Sequence, residues 1–322
     1  MGAPDSSTTS SSTSTSSSTS DGPVHPAPGR SPAAALLDVL RLTHPFPTIV
    51  DGLATAAIAL VAGGPAPVAA RLGLAMIAMQ SAIGSLNDIA DVEADRGRKP
   101  GKPLPREAVS VGTARAVVVG GAAISVILSL VSGVAAAAVG VLILAIGFGY
   151  DLRLKGTRWS WLPFAVGIPL LPVYAWLGAG SAVPWWFVIL IPTGMLAGAA
   201  LALANSLVDV ERDVAAGVES VASWLGRWLA WSLHAVLFGI VLALAVVTGV
   251  DGRGVQGAGF PAAGLILLGA VAVLAGVALT RHLEPARRER GWELEAIGTG
   301  VLALGWIASV AGRGVAPGMP GP

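Results

Sequence analysis

The chain has 322 residues, 54% of them apolar and only 12% charged, with a mean hydropathy of +0.73; that balance excludes an ordinary soluble domain and points to an integral membrane protein. The formal charge of +1 carries little weight, because in such a chain the position of each charge matters more than the sum, and it suggests no nucleic-acid partner. With no cysteine, disulfides and thiolate metal sites are excluded, and four scattered histidines leave oxygen donors and hard ions such as Mg2+.

Residues 6 to 20 are all Ser or Thr and lead into a Pro- and Gly-containing stretch, so residues 1–35 are expected to form a disordered cytosolic tail, with neither the basic start nor the apolar core of a signal peptide. Structure is expected to begin near Arg41, and a membrane domain to fill residues 36–312, before a short C-terminal tail at 313–322. Nine apolar runs approach the roughly 20 residues that cross a bilayer: 46–63, 68–86, 109–131, 134–150, 161–179, 184–204, 228–249, 260–280 and 294–312. The stretch 109–150 is too long for one span and reads as a tight hairpin broken at Ser132-Gly133. With the N-terminus inside, all of the 20 Lys and Arg except Arg71, Arg253 and Arg313 fall on the cytosolic side, as the positive-inside rule requires. The expected setting is a bacterial plasma membrane. Trp159, Trp161, Trp176, Trp185, Trp186, Trp224, Trp228 and Trp292 fall near span ends and read as interfacial anchors, while His234 and His282 read as interface packing.

After the second run comes Asn87-Asp88-Ile89-Ala90-Asp91-Val92-Glu93-Ala94-Asp95, whose pattern N-x-x-x-D-x-x-x-D returns as Asn205, Asp209 and Asp213, offset by 118 residues at every position. Such a repeat indicates internal duplication. On a helix, positions i, i+4 and i+8 share a face, so each copy presents an amide and two carboxylates as one stripe, with Asp88 able to join the first and with Glu93 and Glu211 pointing away. Four spans separate the copies, an even number, so both face the cytosol and can converge. One stripe alone is also what a solvated helix end looks like; two matching stripes repel unless a cation lies between them. Arg96, Arg98, Lys99, Lys102 and Arg106 follow the first copy, a cluster that reads either as a topology signal or as the partner of a diphosphate held through Mg2+. The segment Tyr150-Asp151-Leu152-Arg153-Leu154-Lys155 lies on the same side, making Arg153 and Lys155 candidate diphosphate ligands and the Tyr150 ring a candidate carbocation stabiliser. Asp51, about two turns inside the first span, must face a cavity or a partner, for which Arg41 or His44 is placed.

These motifs resemble those of the UbiA superfamily of intramembrane prenyltransferases over roughly residues 36 to 312. Asn87, Asp88, Asp91, Asp95 and Lys102-Pro103-Leu104 fill the first family signature. Asp209, Asp213, Gly217, Ser220 and Leu225-Gly226 fit the second, and Tyr150 with Lys155 resembles the element after the fourth helix. Glu219 departs, standing where many members carry a basic residue. The resemblance implies an all-α integral membrane fold of nine transmembrane helices, two parallel four-helix repeats plus one, around a central cavity open to the cytosol. It also implies a Mg2+ cofactor and transfer of a prenyl group from an allylic prenyl diphosphate to an aromatic or other lipid-soluble acceptor, releasing diphosphate. Asp91 and Asp95 would then hold one ion and Asp209 and Asp213 another. Asn87, Asp88, Asn205, Lys102, Arg153, Lys155, Arg41 and Asp51 would bind substrate, and Tyr150 would act in catalysis. A terpene cyclase of the same family is the alternative, and a membrane transporter a more distant one; a transporter needs its charged groups near the midplane, whereas these stripes end helices.

Overall fold

The computed structural model describes residues 2, 31–97, 99, 101–249 and 259–312. The expected tail up to residue 30, Arg98, Arg253 and the tail from Arg313 lie outside the described residues.

Every regular element among the described residues is helical. The first helix, α1 (Pro32–Leu42), starts nine residues before Arg41, with Ser31 accepting from the Ala34 amide as its N-cap and Pro at its first turn. A bend of 66° leads into α2 (Pro45–Val61). Then follow α3 (Ala66–Asp95), α4 (Val111–Val131), α5 (Val134–Gly149) with a π-helical turn at Tyr150–Leu154, α6 (Leu162–Gly178) and α7 (Phe187–Val208). Short α8 (Val210–Ala216) and α9 (Val221–Leu225) precede α10 (Arg227–Gly249), α11 (Gly259–Thr280) and α12 (Pro285–Ala311). The hairpin break falls where the sequence placed it, with Gly133 at φ 122° between α4 and α5. The last helix does not: it begins at Pro285 rather than 294, with Arg287 paired to its N-cap Glu284 and Arg288 to Glu211 of α8.

Seven of these helices are long and apolar enough to cross a bilayer, eight if the bent pair α1 and α2 counts as one, and α6 is a shorter apolar helix. Large apolar side chains such as Val119, Ile127, Val134 and Val247 point outward, which suits lipid and would be untenable in water over so many residues. At 30 residues α3 is about 45 Å long against a hydrocarbon core of about 30 Å, so its last turns must project beyond the core. Those turns carry the first acidic stripe.

Close backbone approach sets the packing. An added Cβ on Gly52 of α2 would lie 2.5 Å from Ile77, and one on Gly73 of α3 would lie 2.9 Å from the Gly52 carbonyl oxygen. A seam of Gly269 and Gly276 on α11 against Gly291, Gly298 and Gly305 on α12 is equally tight; where lipid removes the hydrophobic drive between helices, such seams supply dispersion contact instead. Trp176 and Trp186 are not surface anchors: both are buried in an aromatic cluster with Phe187 and Trp306. Trp159, Trp185, Trp224 and Trp228 are exposed as expected. His234 is fully buried too, its Nε2 3.0 Å from Glu295, so it pairs in the core between α10 and α12 rather than packing at an interface.

Candidate active site

The first stripe is intact on the last turns of α3. Asp88 is almost wholly buried, and its Oδ1 takes Lys102 Nζ at 2.8 Å and His44 Nε2 at 3.0 Å. The same Lys102 ammonium lies 2.7 Å from Asp95 Oδ2 and 3.6 Å from Asp91 Oδ2. Burial pulls the Lys102 pKa down, but Asp88 and Asp95 outweigh it and hold the ammonium above its ordinary value, so it stays charged. Glu93 is exposed and pairs with Arg96, on the far side as the helical period requires.

The second stripe differs from expectation. The helix breaks at Asp209 (φ −108°, ψ 9°), which closes α7 and opens α8, so Asn205, Asp209 and Asp213 do not sit on one continuous helix. The Asp213 amide still donates to the Asp209 carbonyl at 2.9 Å, which keeps the two carboxylates one turn apart. Burial first, and Asp209 beside it, raise the Asp213 carboxyl above its ordinary value, although Ser220, Arg212 and Lys99 pull the other way. Asn205 is half-buried on the last turn of α7. Glu219 is exposed.

The two stripes meet. One ammonium, Lys99 Nζ, lies 3.8 Å from Asp95 and 4.0 Å from Asp209. The charge balance that demanded a cation between the stripes is thus met here by lysines. The third segment closes the group: the Lys155 amide donates to the Tyr150 carbonyl at 2.8 Å, an i to i+5 bond that widens the turn, and Lys155 Nζ reaches Asp91 Oδ2 at 2.5 Å. Asn87 donates to Asp151 Oδ1 at 2.8 Å, tying α3 to that turn. Tyr150 lies in the field of Asp151, Asp91, Asp213 and Asp209, and its ring meets Phe164 edge-on at 5.4 Å. Phe164 in turn lines an apolar cavity of about 210 Å³ among α2, α6, α7, α10 and α12. Tyr150 therefore stands between the charged cluster and the cavity.

Two expected residues lie away from the cluster, and a third has another partner. Arg41 pairs with Asp38 at 3.3 Å and is mostly exposed, and Arg153 is exposed. Asp51 does line the cavity, but neither Arg41 nor His44 is its partner: Gln80 Nε2 donates to its Oδ2 at 2.5 Å, and His44 is taken by Asp88. The reason is geometric. α2 runs antiparallel to α3, so His44 and Asp51, two turns apart, meet Asp88 and Gln80, also about two turns apart.

Sequence reasoning missed Arg288 entirely. It is fully buried, donating to the carbonyls of Val208 (3.1 Å), His282 (3.2 Å) and Leu283 (2.9 Å) and to both carboxylate oxygens of Glu211. Arg227 adds a contact of 2.6 Å to Glu211. This clamp satisfies the Val208 carbonyl at the α7–α8 break, ties it to the α11–α12 turn, and so fixes where Asp209 and Asp213 stand. Despite burial, the bonds from Arg288 lower the Glu211 pKa. In the sequence, Arg287-Arg288-Glu289-Arg290 looks like ordinary charge beside a span, and no pattern singles out the buried member.

The cluster offers two kinds of group, carboxylates and ammonium groups. Its carboxylates are hard oxygen donors suited to Mg2+, which is usually held by one or two carboxylates and substrate phosphates rather than by an all-protein cage. Among the described residues no three acidic or histidine side chains converge as a ready-made metal cage; the lysines stand between them, and phosphate oxygens are what would draw the lysines off. With a cation between the carboxylates the lysines can take a polyanion, and the apolar walls that include Phe164 suit an apolar chain.

A family model described as the UbiA prenyltransferase family matches residues 52–295. The chain is 30% identical over 245 residues to the digeranylgeranylglyceryl phosphate synthase of Methanopyrus kandleri, covering 74% of this chain and 89% of that protein. It is 26% identical over 200 residues to the chloroplastic coumarin 8-geranyltransferase 1 of Citrus limon, covering 55% and 47%. Among solved structures, a homologue from Archaeoglobus fulgidus bound to GPP and Mg2+ superposes with a TM-score of 0.58 at 17% identity, covering 82% of this chain and 99% of that one, a likeness of fold.

Proposed function

The chain belongs to the UbiA prenyltransferase family, and from that premise we propose that this integral membrane prenyltransferase moves a prenyl group from an allylic prenyl diphosphate to a lipid-soluble aromatic acceptor, releasing diphosphate. One observation carries the reading: acidic stripes 118 residues apart share Lys99, and Tyr150, in their field, meets Phe164 of the apolar cavity wall. Mg2+ is the proposed cofactor, supported by the oxygen-only donor set and by the Mg2+ bound to the archaeal homologue. Asp91 and Asp95 would hold one ion and Asp209 and Asp213 the other; bound there, Mg2+ supplies neutralisation of the leaving diphosphate. Asn87, Asp88 and Asn205 orient the phosphate end. Lys102 and Lys155 exchange carboxylate for phosphate oxygens, placing positive charge where the C–O bond releases negative charge. Tyr150 offers its ring face to the allylic cation, and the apolar walls exclude water.

The proposed organisation is a tail at 1–35, a membrane domain at 36–312 with nine crossings and a cavity open to the cytosol, and a tail at 313–322, in a bacterial plasma membrane. Orientation is directly testable because the chain lacks cysteine. In intact cells Ala215→Cys should resist an impermeant thiol reagent, while Arg253→Cys, outside the described residues, should react. Labelling of position 215 from outside would overturn the arrangement.

Transfer of label from radioactive geranyl diphosphate to aromatic acceptors in membranes, lost on chelation and restored by Mg2+, tests the activity itself. Within that assay Lys102→Ala or Lys155→Ala should raise the KM for prenyl diphosphate about tenfold, or ~1.4 kcal/mol, as expected for loss of a charge-assisted contact. Arg212→Ala should change it little, since Arg212 is partly exposed and already bound to Asp209. A large KM increase confined to Arg212→Ala would place the diphosphate in the other half.

A further inference from the structure

The elbow between α1 and α2 is fastened to the part of α3 that carries the first acidic stripe. His44 sits in it at φ 50°, and its ring lies so close to α3 that a Cβ added to Gly84 would fall 3.1 Å away. His44 Nε2 reaches Asp88 at 3.0 Å, and Ser85 Oγ donates to the Leu42 carbonyl at 3.4 Å. From this elbow α1 packs on the loop after α3: Leu42 and Val39 share one buried cluster with Leu104 and Val109, and the buried Asp38 takes the Arg106 guanidinium. That loop carries Lys99 and Lys102. The described residues between Asp95 and Val111 form no regular helix, so holding them in one arrangement costs conformational entropy that contacts with α1 offset before a substrate arrives.

The opposite face of α1 meets nothing of the protein. Leu36, Leu37 and Leu40 share it at 60%, 54% and 48% exposure, with the exposed Arg41 at its edge. Direction decides what covers them. With 11 residues α1 is about 16 Å long, and at 66° to α2 it advances only about 7 Å along the axis of α2 while running about 15 Å across it. The 17 residues of α2 reach about 25 Å, most of a hydrocarbon core of about 30 Å, and α2 has its own outward stripe in Ile49, Leu53 and Leu60. Thus α1 begins where that stripe leaves the hydrocarbon, turned toward the plane of the bilayer, with three leucines facing away from the protein. A helix so placed buries its apolar face at the boundary of headgroups and acyl chains, and Arg41 beside the leucines can extend to the headgroup phosphates.

We propose that α1 docks on the lipid surface, in the bilayer interface on the side of the charged cluster, and that through Asp38, Arg106 and Leu42 it braces the loop that carries Lys99 and Lys102. The docking stands apart from the prenyl-transfer reading above; its consequence for diphosphate binding rests on that reading. Asp38 is a positioning residue, acting on the diphosphate only through the loop. Leu36 and Leu40 act at one further remove, since the lipid that holds them holds α1 and so holds Asp38.

The test uses the full chain, which lacks cysteine, with one copy in each phosphatidylcholine nanodisc so that a second copy cannot cover α1. An environment-sensitive fluorophore on Leu37→Cys should emit to the blue of the same dye on Glu93→Cys, whose side chain is 78% exposed. It should also be quenched more by lipids with a nitroxide high on the acyl chain than by lipids with one at the chain end. Emission matching position 93 would overturn the docking, and so would stronger quenching from the chain end, which would make α1 a continuation of the crossing. The brace is read from a spin label on Gly101→Cys, where an added side chain meets no neighbour within 4 Å. Asp38→Asn should sharpen its spectrum, and so should Leu36→Ser combined with Leu40→Ser, two outward positions that decide the matter should Asp38→Asn fail to fold. Both changes should weaken Mg2+-dependent binding of inorganic pyrophosphate about fivefold or more, the low end of coupling between linked sites. A loop label that neither change moves would overturn the brace. A wild-type chain that binds no pyrophosphate, while its loop label responds as expected, would instead sink the diphosphate reading and leave the brace standing.

Discussion

Asp91→Asn and Asp209→Asn are each expected to lower prenyl transfer by about a hundredfold to a thousandfold, the usual cost of removing one group that stabilises transition-state charge. The two aspartates belong to different halves of the chain, and in the structure each contacts a lysine of the shared cluster: Asp91 meets Lys155 and Lys102, and Asp209 meets Lys99. Neutralising either removes a hard anionic donor and frees an ammonium from its partner, so neither half compensates for the other. Asparagine keeps the shape, which limits any loss of folding. The check is single-turnover transfer from geranyl diphosphate at saturating Mg2+, with Glu93→Gln as the control on the opposite face of α3. Were Glu93→Gln as damaging as Asp91→Asn, the helical-face argument would be lost.

Glu211→Ala is expected to destabilise the folded chain by about 2–3 kcal/mol, while Glu93→Ala costs less than ~1 kcal/mol, although the two residues are equivalent in the sequence repeat. Glu93 makes an exposed pair with Arg96, and such pairs contribute little. Glu211 is the counter-ion of Arg288, whose side chain is 0% exposed, and stranding a buried charge costs about 3–5 kcal/mol. The lower figure applies here because Glu211 is 54% exposed and three backbone carbonyls still accept from the guanidinium. Denaturant titration of both variants in detergent measures the difference; equal stability would show that the clamp does not hold α8. The pH dependence has a definite sign. Since the folded pKa of Glu211 lies below its ordinary 4.5, its contribution is fully present above pH 4.5 and is lost only as pH falls through the folded value. Unfolding near neutral pH should therefore be insensitive to pH through this group.

Much of this protein was legible in its sequence. Composition fixed the solvent, because 54% apolar residues have no other place than lipid. The apolar runs located the long helices, seven of which, or eight with the bent pair, are long and apolar enough to cross a bilayer, since backbone groups in hydrocarbon must bond within the segment. The repeat offset picked out Asp91, Asp95, Asp209 and Asp213, and helical periodicity sorted Glu93 from Asp91, because period and spacing are local properties. Partners were not legible. That Asp51 takes Gln80 while His44 takes Asp88, that Lys99 joins the two stripes, and that Trp176 and Trp186 are core residues all follow from how antiparallel helices register against one another. The break at Asp209 follows from a tertiary contact too: Arg288, eighty residues on, bonds the Val208 carbonyl that a continuous helix would have used. Local sequence sets which faces a helix has, and only close packing between helices decides what each face meets.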